Sequence, residues 1–289
     1  MTRELLQVVP AVVEAPRILG VTTRLRFVVT GAGRSGTGYI ARILTAAGVP
    51  TGHEDWFGPV PGLRGPETVT RATIWMKLKA PGSRFRVELR RRRGGLVGDS
   101  SWLAVPHLPR FRGLVYLQVR HPLKVIGSLV GMDFFGSRHA QDPFRRYAEH
   151  HFEVTGDVLA DSARFWVECN RRALPYAHRI WRLEDVNASL VGQILRDLDV
   201  PDPSERAALA IRCVSPVNTA VERGYAPVEL AWKDLPERLR TRVAGLARCL
   251  GYDVEGMASV AVPIIGAAVE TEAVRKTCSS PQRAPEKGT

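Results

Sequence analysis

The sequence has little cysteine, very little lysine and no long apolar run, and each scarcity removes a class of protein. Its four cysteines (Cys169, Cys213, Cys249 and Cys278) lie far apart, with no CxxC pair and no His–Cys cluster at metal-ligand spacing. That excludes a disulfide framework and a structural zinc site of the usual kind, and fits reduced thiols. No stretch of 18 apolar residues occurs, so no membrane-spanning helix is predicted. The opening residues lack the n-region, h-region and cleavage-site pattern of a leader, because Glu4, Glu14 and Arg17 interrupt them, and the expected location is the cytoplasm. Lysine supplies six of the 41 basic residues; arginine supplies the rest. Against 29 acids this leaves a net charge of +12, which suits polyanionic ligands such as nucleotides, sulfated sugars or anionic lipid surfaces. A codon bias toward arginine accounts for such an excess equally well. The one arginine run, Arg90 to Arg93, reads as a solvated face, and no nucleic-acid recognition motif accompanies it.

What is present is a succession of strand and helix signals. RFVVT (26–30) is a short β-branched run, followed by the glycine-rich segment Gly31 to Gly38 and then YIARILTAAG (39–48), apolar at helical spacing and closed by Gly48 and Pro50. The stretch 51–70 reads as a functional loop and 72–80 as a strand. LVGDSSWLAV (96–105) reads as a strand running through a polar turn into a helix. GLVYLQV (113–119) is the clearest buried strand, with a helix over 120–130 behind it. A long helical pattern, broken by Pro175, covers 142–178, RIWRLED (179–185) is a further strand, and helices follow at 189–199, 203–214 and beyond Pro236. Residues 1–24 add an edge strand or lie across the core. The alternation predicts an α/β fold of three layers, a parallel sheet flanked by helices on both faces, in a single domain over 1–275 with its core at 26–252. The tail, 276–289, reads as disordered. In such a sheet the ligand sits at the carboxyl ends of the strands, here those near Thr30, Asp99, Val119 and Glu184.

The segment GAGRSGTG admits three readings. Gly31, Gly33 and Gly36 satisfy the dinucleotide fingerprint G-x-G-x-x-G, yet Pro50 to His53 is not the apolar second strand that should present an acid to a ribose. The ATPase loop would need lysine after Gly36, where Thr37 stands. What remains is an anion cradle made of backbone N–H groups and a helix N-terminus, with Arg34 as cation and Ser35 and Thr37 as hydroxyl donors.

R-S-G-T after a hydrophobic strand resembles the 5′-phosphosulfate loop of sulfotransferases that use 3′-phosphoadenosine 5′-phosphosulfate (PAPS). VYLQVRHPLKVIGSL (115–129) is similar to that family's 3′-phosphate segment: Arg120 at a strand end, Pro122, then Ser128 eight residues after the arginine. WRLED (181–185) resembles the late strand ending in Glu-Asp. ERGY (222–225) with AWKDLP (231–236) resembles, at a distance, the late Arg-Lys-Gly segment, with Glu222 where the arginine would stand and Arg223 offered to the 3′-phosphate.

The resemblance implies a sulfotransferase-type fold and PAPS as donor, leaving adenosine 3′,5′-bisphosphate (PAP), with no metal. It assigns Gly33, Arg34, Ser35, Gly36, Thr37, Gly38, Arg120, Ser128 and Arg223 to the nucleotide. Arg34 would stabilise charge on the bridging oxygen. Glu54, in GVPTGHED, stands where the bacterial and tyrosylprotein-type branches carry a general base; His53 and His107 are its rivals. Asp99, Ser100 and Ser101 either orient a ligand or cap the next helix, and Trp56, Phe57 and Trp102 either wall the acceptor site or pack the core. The acceptor is a small molecule, a glycan, a lipid or a peptide, with the basic balance favouring an anionic one or one presented at an anionic membrane surface. No nucleic acid is expected. Two other classes stay open at this point: a nucleotide kinase or related phosphotransferase using ATP-magnesium, and a basic nucleic-acid-binding module.

Overall fold

Phe27–Thr30 (β3) is the buried heart of a five-stranded sheet, all four residues being shielded from solvent. The computed structural model describes residues 13–14, 24–57, 96–137, 140–215 and 224–254. The expected strand at 72–80, the arginine run 90–93, Arg223, Cys278 and the tail 276–289 lie outside the described residues.

Alternation along the strands divides the core into two layers. Phe27 and Val29 of β3 and Tyr116 of Leu114–Val119 (β6) pack with Ile40, Ile43 and Leu44 of Thr37–Ala46 (α1) and with Ala188–Asp197 (α5) and Pro203–Cys213 (α6). Val28, Val115 and Leu117 face the opposite layer, made by Pro122–Gly131 (α2), Pro143–His151 (α3), Val158–Ala173 (α4) and Glu237–Cys249 (α7). Each fully buried aliphatic or phenyl side chain contributes roughly 1.5–3 kcal/mol. The expected three-layer parallel α/β architecture is therefore the observed one.

Thr51–His53 (β4), Gly98–Ser100 (β5) and Arg179–Arg182 (β7) complete the sheet, in the order β4-β5-β3-β6-β7, every pair parallel. Its register aligns Val28 with Asp99 and Val29 with Tyr116. Helix α1 leaves β3 on one face and α2 leaves β6 on the other, so the connections after two adjacent strands diverge. That divergence opens a crevice at their carboxyl ends.

Several elements differ from the sequence reading. Residues 51–53 form a strand, although a polar one, because backbone pairing to β5 carries it at the sheet edge. The dinucleotide reading still fails, on order instead of polarity: there the second strand lies beside the first, whereas here β5 separates β4 from β3. The helix after β5 is a 3₁₀ helix, Trp102–Arg110, since Pro106 and Pro109 cannot donate to an α-helical ladder. The pattern at 142–178 is two α-helices, not one. Asp142 and Asp157 each accept backbone N–H groups and start separate helices α3 and α4. Glu184 falls in a short 3₁₀ turn beyond β7, Leu183–Asp185. Near the N-terminus, Val13–Glu14 (β1) and Arg24–Leu25 (β2) pair antiparallel as a separate ribbon. Among the described residues no helix is long and apolar enough to cross a membrane.

Candidate active site

The glycine loop between β3 and α1 is fixed from below. Trp181 donates its indole N–H to Gln118 Oε1 at 3.0 Å, and Gln118 Nε2 donates to the Ser35 carbonyl at 2.5 Å. A Cβ built on Gly31, at φ 153°, would collide with the Gln118 carbonyl oxygen. Gly36, at φ 85°, occupies the left-handed region that glycine enters without penalty and lies against Leu183. Arg34 also has a left-handed backbone, φ 71°, which costs a non-glycine residue roughly 1 kcal/mol and persists only when its surroundings impose it. Ser35 is fully buried, and its Oγ has no hydrogen-bond partner among the described residues. An unmatched buried hydroxyl costs about 1–3 kcal/mol, a cost that an anion in the loop would remove.

The end of β6 and the second turn of α2 contact this loop. Arg34 Nε donates to Ser128 Oγ at 3.1 Å, and Arg120 Nη1 donates to the Arg34 carbonyl at 3.1 Å. Ser128 Oγ also shares a 2.9 Å hydrogen bond with the Tyr225 hydroxyl, and the Arg34 guanidinium lies 5.6 Å from the Tyr225 ring centroid. The Trp166 indole donates to the Arg120 carbonyl at 3.3 Å. Glu184 turns away from the ligand side: it accepts the His121 backbone N–H at 3.1 Å and the Tyr252 hydroxyl at 3.0 Å, fixing the entry to α2.

On the other side of the loop stand the carboxylate and imidazole at the end of β4. His53 Nε2 lies 3.2 Å from Thr37 Oγ1 and 4.0 Å from Glu54 Oε1. Glu54 is left-handed too, at φ 57°, and its N–H donates to the Ser100 carbonyl at 3.2 Å. The turn that follows is held by Asp99. This fully buried carboxylate accepts the N–H of Asp55 at 3.2 Å through Oδ1, and those of Trp56 at 3.2 Å and Phe57 at 3.1 Å through Oδ2. Burial pushes the Asp99 carboxyl up to about 6, with the Asp55 charge adding to the rise and the three N–H donors opposing it. Asp99 thus positions the turn and does not enter the cavity. Ser100 Oγ donates to the Thr37 carbonyl at 2.9 Å, and Ser101 Oγ accepts the Leu103 N–H at 3.2 Å, the capping role.

These segments enclose one cavity of about 910 Å³, bordered by Gly33, Arg34, Thr37, Glu54, Arg120 and Ser128. Gly36, Gly38 and His53 also line it, while Ser35 sits buried beneath it. The predicted nucleotide residues thus converge, apart from Arg223, which is not described. His107 does not line the cavity. Its Nε2 lies 3.0 Å from the Tyr147 hydroxyl, which itself donates to the Leu103 carbonyl, and burial lowers the His107 pKa. Of the three aromatic candidates, Trp102 lines the cavity whereas Phe57 packs in the core beside His107. Among the described residues, no group of three or more His, Cys, Asp or Glu side chains could hold a metal ion.

No family model and no curated protein matches the chain. Among solved structures, it is similar to a sulfotransferase domain from the curacin biosynthetic pathway, with a TM-score of 0.40 and 16% identity, over 80% of this chain and 98% of that one. At that score and identity, the likeness says nothing of donor or acceptor.

The sequence reading missed the supports of the site. Gln118 was visible as the one polar residue inside an otherwise apolar strand, LVYLQV, and a fully buried polar side chain must have partners. His121, the residue before α2, and Lys124, on its first turn, also line the cavity. Segment 227–230, which joins them there, is tied to α2 by the Val228 N–H donating to the Gly127 carbonyl at 3.0 Å.

Proposed function

We propose that this chain is a sulfotransferase that moves a sulfuryl group from PAPS to an acceptor hydroxyl or amine. One observation carries the reading. Two segments rich in cations and hydrogen-bond donors, the loop of Arg34 and Thr37 and the strand-to-helix stretch of Arg120 and Ser128, meet at one cavity, where Arg34 donates to Ser128 and Arg120 to the Arg34 carbonyl, and a carboxylate, Glu54, borders the same space. Two separate phosphate grips suit a nucleotide phosphorylated at both ends, which an ordinary mononucleotide site does not need. Ser35, whose buried hydroxyl lacks a partner among the described residues, fits a loop that receives an anion. A basic nucleic-acid module has no use for a carboxylate beside its cations.

The chemistry assigned to the residues follows from charge. Sulfuryl transfer forms a bond from the acceptor oxygen to sulfur while the bond from sulfur to the bridging phosphate oxygen breaks, its electron pair leaving with the bisphosphate. Arg34 and the α1 N-terminus would stabilise that developing charge. Glu54 would take the acceptor proton, with His53 beside it bonded to Thr37. Arg120 and Ser128 would hold the 3′-phosphate.

Thermal melting tests the reading. PAP at 100 times its Kd should stabilise the protein by about 2.7 kcal/mol, without magnesium. A magnesium-dependent shift with ATP and none with PAP would replace the proposal with a phosphotransferase.

A further inference from the structure

Gln118 and Trp181 are register partners, side by side on the parallel strands β6 and β7. Both are buried, Gln118 completely. An indole N–H can only donate and a backbone carbonyl can only accept, so the amide that bridges them has a single orientation. Its Oε1 takes the Trp181 N–H at 3.0 Å, and its Nε2 donates to the Ser35 carbonyl at 2.5 Å. The sheet itself does not require an amide here. Every other residue of β6 is apolar, and an apolar pair at 118 and 181 would fill the same space without burying polar groups.

The bond to Ser35 acts on the peptide unit that follows it. A trans peptide carries its C=O and its N–H on opposite sides. With the Ser35 carbonyl drawn to Gln118, the Gly36 N–H is turned the other way, toward the cavity that Gly36 lines and Ser35 does not. The Ser35 N–H turns inward to the Ala32 carbonyl at 3.2 Å, and the next N–H to reach a backbone acceptor is that of Tyr39, on the Gly36 carbonyl at 3.0 Å. Between them, the N–H groups of Gly36, Thr37 and Gly38 find no backbone acceptor among the described residues, as befits the first turn of a helix that receives an anion. The amide also packs against Gly36 itself, where a Cβ would lie 3.1 Å from Gln118 Nε2.

We infer that Gln118 is the positioning residue of the 5′-phosphate cradle, its amide aimed by Trp181 and turning the Ser35–Gly36 peptide so that the Gly36 N–H meets the phosphate. The inference rests on the sulfotransferase reading and deepens it, by naming the side chain that sets one of the two grips. Gln118 touches no ligand and acts through the backbone. The residues assigned to the 3′-phosphate are held differently: Ser128 accepts from Arg34, and Arg120 donates to the Arg34 carbonyl. Loss of the amide should therefore fall on one phosphate and spare the other.

The test uses the full chain and three nucleotides: PAP, AMP with its 5′-phosphate alone, and adenosine 3′-monophosphate. Each is titrated by calorimetry, directly or in competition with PAP. Gln118→Met keeps the length of the side chain but cannot donate. It should weaken PAP and AMP by about tenfold, the loss of one hydrogen bond to a charged group, and adenosine 3′-monophosphate by less than about twofold. Trp181→Phe leaves the amide in place without the N–H that aims it, and should weaken the same two nucleotides by a smaller factor. Equal losses for AMP and adenosine 3′-monophosphate would mean that Gln118 only holds the sheet together. Unchanged affinity for PAP and AMP would mean that the loop keeps its shape without the amide. Either result overturns the inference and leaves the donor reading standing. Should Gln118→Met fail to fold, Trp181→Phe decides by the same comparison. If the unaltered protein binds none of the three, both readings fall.

Discussion

Asp99, fully buried in the middle of β5, accepts the backbone N–H of Phe57 at 3.1 Å and so ties the turn after Glu54 to the sheet. Its carboxyl is raised from 3.8 to about 6, so the folded protein binds a proton there that the unfolded chain has released. For a group with a raised folded pKa, the contribution to stability is complete below the unfolded value and is lost as pH rises through the folded one. The difference of about two units corresponds to roughly 3 kcal/mol lost between pH 4 and pH 6. Asp99→Asn should remove that slope. It should also loosen the turn, since an amide NH₂ cannot accept from Asp55 where a carboxylate oxygen does. Chemical denaturation of both proteins from pH 4 to 8 checks the first effect, and kcat at pH 7.5 the second. Parallel stability curves would mean that Asp99 does not titrate in this range.

The two glycines that bound the phosphate loop should fail in different ways. A methyl group at Gly31 meets the backbone carbonyl of Gln118, which cannot move without displacing β6. Gly31→Ala should therefore destabilise the fold by more than about 4 kcal/mol. At Gly36 the obstacle is the end of the Leu183 side chain, 2.7 Å away, together with a φ of 85°. Gly36→Ala should cost only about 1–2 kcal/mol of stability but should distort the N–H groups at the start of α1, weakening PAP binding at least tenfold. Urea denaturation separates the first variant from the second, and calorimetric titration of PAP measures the loss in the second.

On the proposed function, Glu54 and His53 are the candidates for the base, and their contacts differ. His53 Nε2 is engaged with Thr37 Oγ1 at 3.2 Å, at the first residue of α1. Glu54→Gln should therefore lower kcat by about 10² to 10⁴ while PAP affinity stays within about threefold. His53→Gln should weaken PAP binding more than it lowers kcat. The reverse pattern would transfer the base to His53.

The layered sheet and the convergence of loop and helix were legible in the sequence because they depend on local signals: the glycine spacing, the β-branched run before it, the apolar period of α1, and Arg120 eight residues before Ser128. What was hidden depends on tertiary pairing. The polar strand Thr51–His53 has no apolar pattern to announce it and exists through its ladder to β5. The left-handed backbones of Arg34 and Glu54 are imposed by neighbours distant in sequence, as are Asp99's three N–H bonds. Trp102, Phe134, Phe144 and Phe165, which line the cavity, likewise meet only once four separate elements pack around it.

On the proposed function, Arg120 has two roles that a single substitution can separate. Its Nη1 holds the Arg34 carbonyl at 3.1 Å, a purely structural contact that shapes the 5′ loop. Its position at the end of β6, lining the same cavity as Ser128, offers the rest of the guanidinium to a 3′-phosphate. A hydrogen bond to a charged group contributes about 1.5–3 kcal/mol, so Arg120→Ala should weaken PAP by roughly 10- to 150-fold. AMP, which shares the adenosine and the 5′-phosphate but lacks the 3′-phosphate, should lose less than about threefold if loop geometry survives. Paired titrations of PAP and AMP against both proteins give the answer directly. Equal losses would mean that Arg120 acts only through the Arg34 carbonyl, and the second anion grip would then have to come from Ser128 and Lys124.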